Sequence, residues 1–191
     1  AVYAKGFAES MEEAAEAVAK VGQQMRGLPE DEMRTIADNA LILQKIFDID
    51  IQEGLRGVDA MVKQFGINAD EAFDLVVAGA QRGLNQNGDL ADQIAEYSVY
   101  YADAGFSAQQ MFSMMASGAE NGVFQIDYLN NAIKEFGIST KDNSDSSKEA
   151  FQTLGLDANK MFEMFAAGGE QAQTASQLVN EALFAMDDKV K

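Results

Sequence analysis

The stretch Asp142-Asn143-Ser144-Asp145-Ser146-Ser147 carries the closely spaced side-chain oxygens that a calcium loop uses. Such a loop turns sharply on a glycine at its sixth position and closes on a bidentate glutamate at its twelfth. Here those positions hold Ser147 and Thr153, so the stretch reads as a flexible, solvated loop with no metal. Two acid pairs, Asp48/Asp50 and Glu12/Glu13, have the residue types for general acid–base work. Both fall at expected helix ends or on exposed faces, where solvent and the helix dipole account for them. The chain has no histidine and no cysteine. That removes imidazole bases, thiolate nucleophiles, disulfides and the usual zinc and iron ligand sets. Neither a glycine-rich phosphate loop nor a nucleophile elbow is present. The sequence therefore reads as a non-enzyme without a cofactor.

Charge narrows the partners. The 191 residues carry a formal charge of −17, and no Lys or Arg occurs from Gly83 to Ile133. Such a surface repels phosphate backbones, so direct nucleic-acid binding is not expected. No apolar run is long enough to span a bilayer, and there is no signal peptide. A chain of this length fits one domain that buries about 70% of its unfolded surface. One proline, no tryptophan and no sustained period-two pattern indicate an all-α fold. Ala at position 1 suggests a piece of a larger protein.

The elements are organised by an internal repeat. Gly66-Ile67-Asn68-Ala69, Gly105-Phe106-Ser107-Ala108 and Gly155-Leu156-Asp157-Ala158 begin three copies of one register. Counting from the glycine, Phe73, Phe112 and Phe162 stand at +7, apolar residues at +9 and +10, and Gly79, Gly118 and Gly168 at +13. The first glycine ends a helix in the left-handed conformation, and Asn68, Ser107 and Asp157 cap the next. Glu71 and Gln110 complete capping boxes, whereas Lys160 in the third copy cannot. Ile67, Phe106 and Leu156 pair with Ala72, Met111 and Met161 as hydrophobic staples. Each copy is thus a helix-turn-helix-like corner.

The later glycines divide into two kinds. Gly83 and Gly122, followed by Leu84 and Val123, read as helix C-caps of the Schellman type. Gly79 and Gly118 fall inside helices, where glycine costs about 1 kcal/mol relative to alanine. A close approach to a neighbouring backbone explains them. Six of ten methionines fall from Met111 onward, either as adaptable core or as a surface for a partner helix.

Taken in order, Phe7, Met11, Ala14, Val18, Val21 and Met25 form a heptad seam of about three heptads within a helical lead-in, residues 1–27. That lead-in either ends an upstream coiled coil, offering self-association, or folds back on the domain. Gly27 closes it, and Pro29 opens a helix to about Phe47. Asp50 caps a third helix that leads into the first corner. Asp89 caps a helix to about Asp103, and Asp127 caps one running through Phe136. Phe136-Gly137-Ile138-Ser139 begins a fourth corner that the polar loop interrupts. Ser146 and Glu149 form a capping box for a short helix, and the last helix begins near Thr174 and frays toward Lys191. The expected architecture is about eight helices in a multi-helical, helical-hairpin array, with residues 29–188 as the core domain.

Residues 29–188 resemble the helical core domain of phage and prophage tail tape-measure proteins. The resemblance is carried by Phe65-Gly66-Ile67-Asn68-Ala69-Asp70-Glu71-Ala72-Phe73, Gly83-Leu84-Asn85-Gln86-Asn87-Gly88-Asp89-Leu90, Glu96-Tyr97-Ser98 and Lys134-Glu135-Phe136-Gly137-Ile138. Ala150-Phe151, Leu154-Gly155-Leu156 and Phe165-Ala166-Ala167-Gly168-Gly169 continue it. It implies a structural protein of the virion tail, made in the host cytoplasm, that helps set tail length and guides tube assembly. Tail tube and tail-assembly proteins would be its partners, and the resemblance brings no catalytic residues. The sequence lacks a long measuring segment and a membrane-active segment. A second reading is an acidic all-helical adaptor, or a secretion-apparatus-associated protein, that binds a partner helix.

Overall fold

The computed structural model describes residues 7–122 and 125–186. Val123 after Gly122, the fraying toward Lys191 and the outer ends of both expected segments lie outside them. Among the described residues there is no strand and there are ten helices. They are α1 (Met11–Gln24), α2 (Glu30–Phe47), α3 (Ile51–Phe65), α4 (Ala69–Gln81) and α5 (Leu90–Asp103). The second half holds α6 (Ala108–Glu120), α7 (Ile126–Ser139), α8 (Asp145–Thr153), α9 (Ala158–Ala167) and α10 (Gly169–Ala185). The number exceeds the expected eight, and the bounds differ from expectation mainly in the C-terminal third. There α8 has only nine residues, and α10 starts at Gly169 rather than near Thr174.

The helix starts reveal a longer period than the corners alone. Helices α2, α4 and α6 begin at residues 30, 69 and 108, a step of 39; α3, α5 and α7 begin at 51, 90 and 126. The chain therefore repeats as helix pairs, α2–α3, α4–α5 and α6–α7. Helix α2 packs on α4 and α4 on α6, while α3 packs on α5 and α5 on α7. Two parallel rows result, the arrangement in which each repeat buries its apolar face against its neighbours. Polar bonds between neighbouring repeats link residues 36 to 38 positions apart: Arg56 to Asp92 (2.6 Å), Gln109 to Glu71 (2.6 Å), Arg82 to Glu120 (2.6 Å) and Lys141 to Asp103 (3.1 Å). These are exposed, so they fix register more than they stabilise.

Helix α1 folds back on α2 and α3, with Ala14, Ala17, Val21 and Met25 in the same apolar core as α2–α6. The buried carboxylate of Asp59 accepts from Gln24 (2.9 Å) and Lys63 (2.7 Å), tying α1 to α3. Most of the heptad seam is therefore occupied within the chain, and Met11 alone of its helical residues is strongly exposed. A second core, Phe151, Met161, Phe162, Phe165, Ala172 and Val179 among others, joins α8, α9 and α10.

Helix α3 comes close to the backbone of α5 at Gly57. A Cβ there would stand 3.0 Å from the Ala91 carbonyl oxygen. This is the near-backbone packing expected at Gly79, where the neighbours are instead the Phe112 ring and Leu84.

Several caps differ from expectation. Helix α8 is capped by Ser144, whose hydroxyl accepts from the Ser147 amide at 3.2 Å, not by Ser146. Asp127 lies in the first turn of α7 behind Gln125 and bonds Tyr97 and Asn131. Asp89 precedes α5, but its side chain makes no cap; Asn85 accepts from the Leu90 amide instead. Gly137 is buried inside α7, so no fourth corner forms.

Candidate functional site

All three corners form, each from its own few residues. Gly66, Gly105 and Gly155 have φ of 69°, 84° and 73°. Asn68, Ser107 and Asp157 accept from the amides of Glu71, Gln110 and Lys160 at 2.9, 3.2 and 3.1 Å. Only Ser107 belongs to a full capping box, because Glu71 turns away to accept from Gln109 of α6. The second and third corners are Schellman endings, with Phe106 N–H donating to Tyr101 and Leu156 N–H to Phe151, both at 2.9 Å. At the first corner a single bond from Gly66 to Val62 closes the turn. Gly83 follows the same rule as the later corners, with Leu84 N–H donating to Gly79 at 3.1 Å.

The corner phenylalanines all point inward: Phe73, Phe112 and Phe162 are buried. They do not all pack alike. Phe162 meets Phe151 of the helix before its corner, edge to face at 5.3 Å between ring centroids. Phe112 reaches instead the preceding repeat, where its ring fills the space beside Gly79 of α4. The first two corners thus share one core and the third serves the other. Gly118 is half-buried within α6. Gly168 is not its counterpart: with φ 70° and ψ −170° it separates α9 from α10.

The second corner carries an extra load. Helix α10 crosses it so closely that a Cβ on Gly105 would fall 2.3 Å from the Gln173 nitrogen. Beside it the Ser176 hydroxyl donates to the Ala104 carbonyl at 3.0 Å, within a buried contact. This junction joins the stacked pairs to the C-terminal helices.

Next to it, α5 and α7 are joined by polar side chains. The Tyr101 hydroxyl donates to Asn130 (2.9 Å), and the Asn130 amide donates to Gln93 (2.9 Å). The Tyr97 hydroxyl lies 3.0 Å from both Asp127 and Asn131. Burial, and then the adjacent Asp127 carboxylate, push the Tyr97 phenol up to about 12; burial pushes Tyr101 higher still. The geometry is that of a structural joint, with each tyrosine hydroxyl on α5 bonded to side chains of α7.

The polar loop is also local structure. Asp142 accepts from the Ser144 amide at 2.9 Å, which holds its carboxyl below the usual carboxylate range. Among the described residues no group of three or more acidic side chains is placed to hold a metal ion. None of the described helices is long and apolar enough to cross a membrane.

A cleft of about 410 Å³ lies between α6, α7 and α10, lined by Phe106, Met114, Ile133, Phe136, Val179 and Leu183 with neutral polar side chains at its rim.

Comparison with known proteins matches residues 3–191 to the family model of phage-related minor tail proteins. A protein of Streptomyces phage phiC31 named "Probable tape measure protein" is 50% identical over 108 residues. That match covers 56% of this chain and 15% of the relative, so the chain spans a small part of the relative's length. No solved structure matches.

Proposed function

The chain belongs to the phage-related minor tail protein family, and on that premise we propose that it is a structural segment of a tape-measure protein that helps set tail length and guides assembly of the tail tube. The observation that carries the reading is the 50% identity to a probable tape measure protein over 108 residues. The chemistry agrees with it, since the corner residues are spent on caps and cores. In this reading residues 29–188 act as a folded module, tail tube and tail-assembly proteins are its partners, and it folds in the host cytoplasm before entering the tail. It acts without catalysis and without a cofactor.

A module of this kind organises assembly, whereas length is measured by extended helical segments elsewhere in the protein. In-frame shortening of those segments is therefore expected to shorten tails in proportion, as read from electron micrographs. Deletion of residues 29–188 is expected to abolish or misdirect assembly. Tails of normal number and length from that deletion would refute the proposal.

A further inference from the structure

The cleft between α6, α7 and α10 lies where the stack of helix pairs stops. Within the stack, α4 and α5 receive α6 and α7 on their forward faces. The last pair has no successor of its own kind. Helix α9 covers part of the α7 face, where Phe136 and Phe165 meet edge to face at 5.5 Å between centroids. Helix α10 lies across the second corner. Between them Phe106, Met114, Ile133 and Phe136 remain half-buried, and Leu183 is 44% exposed on the facing wall.

We propose that this cleft is a docking groove for an amphipathic helix of another protein that carries Lys and Arg on its polar face. Continuity with the repeat interface indicates a helix, since the groove prolongs surfaces that elsewhere in the chain pack helices. Among the described residues its lining carries no charged side chain and is mostly apolar, and Met114 adapts readily to the shape of an apolar ridge. Charge indicates the partner's sign. From Gly83 to Ile133, which includes α5, α6 and the first half of α7, there is no Lys or Arg. The next cation, Lys134, sits over the Tyr100 ring at 5.2 Å. Asp92, Asp103 and Glu120 of that window are paired with Arg56, Lys141 and Arg82, so the attraction comes from the net charge: a second copy would bring its own −17 to a chain of −17, whereas a basic helix is attracted to it. The inference rests on the stack and its charge, not on the tail assignment.

The test uses the 191-residue chain with methyl-labelled methionines and a synthetic Leu/Lys peptide of about five helical turns. A Leu/Glu peptide of the same pattern serves as comparison. The Leu/Lys peptide is expected to shift the Met114 methyl resonance, to leave that of Met61 in place, and to bind less tightly as salt rises. Leu183→Lys is expected to weaken it about tenfold or more. Asn180→Lys, which leaves the apolar lining intact, is expected to weaken it as well, and Met11→Lys at the far end of the chain is expected to change nothing. Both groove positions are solvent-exposed, so the fold tolerates either change. Equal binding of the Leu/Glu peptide, or binding unaffected by Leu183→Lys, would overturn the proposal. So would a concentration-dependent dimer that shifts Met114 and resists the peptide, which would make a second copy the occupant.

Discussion

Replacing Gly105 by alanine will destabilise the protein more than the same change at Gly66 or Gly155. All three residues have positive φ, so each alanine bears the left-handed penalty of about 1–2 kcal/mol. Around Gly66 and Gly155 a new Cβ meets nothing within 4 Å. At Gly105 it would meet the Gln173 nitrogen at 2.3 Å and the Ala172 carbonyl carbon at 2.8 Å. Those are backbone atoms of a packed helix and cannot swing aside. Helix α10 must move, and its Ser176 bond to the Ala104 carbonyl goes with it. The expected loss is about 3 kcal/mol or more, against about 1–2 at the other corners. Chemical denaturation measures the difference, and hydrogen exchange should show α10 losing protection first. Equal losses at the three positions would mean that α10 does not bear on the second corner.

The second large effect is at Phe112. Its ring is buried and lies against Gly79, so truncation to alanine removes apolar burial and leaves a cavity between α4 and α6. Such changes cost about 3–5 kcal/mol. The two positions are coupled, which makes the prediction sharper than a single loss. A Cβ on Gly79 would stand 2.8 Å from the Phe112 ring, and a buried ring has little room to yield. Gly79→Ala is therefore expected to destabilise the wild type, although helix propensity alone favours alanine by about 1 kcal/mol. In the Phe112→Ala background only the Leu84 methyl remains close, at 3.3 Å and with the new cavity to shift into, and the same change should stabilise. A double-mutant cycle reads the reversal directly. A stabilised Gly79→Ala in the wild type would show that the ring does not press on α4.

The corners were legible because each is local: a glycine, an apolar residue and a capping side chain within three positions fix the turn before any tertiary contact forms. The 39-residue helix pair was less visible, although Gly27 also has positive φ and stands 39 residues before Gly66. Its copy is disguised by Pro29 at the cap and Arg34 where the others have phenylalanine. What distant elements decide could not be read locally. Gly137 resembles a corner glycine, yet α7 runs through it, and the chain turns over Thr140–Asn143 instead, with Asn143 at positive φ. Gly168 matches Gly79 in register but ends a helix rather than packing within one. The polar bonds of Tyr97 and Tyr101 depend on Asp127, Asn130 and Asn131, some 30 residues on. Gly57 shows the same limit, since only the partner helix reveals why a side chain is excluded there.

The functional account stands on family membership and on a fold whose characteristic residues build cores and caps. Its central claim is that this chain is a building part of the tail. Quantitative mass spectrometry of tails purified from intact virions tests it most directly. The account predicts peptides from residues 29–188 in completed tails, at a fixed ratio to the tube subunit. Peptides found in assembly-stage extracts but missing from completed tails would contradict it and identify an adaptor that acts and leaves.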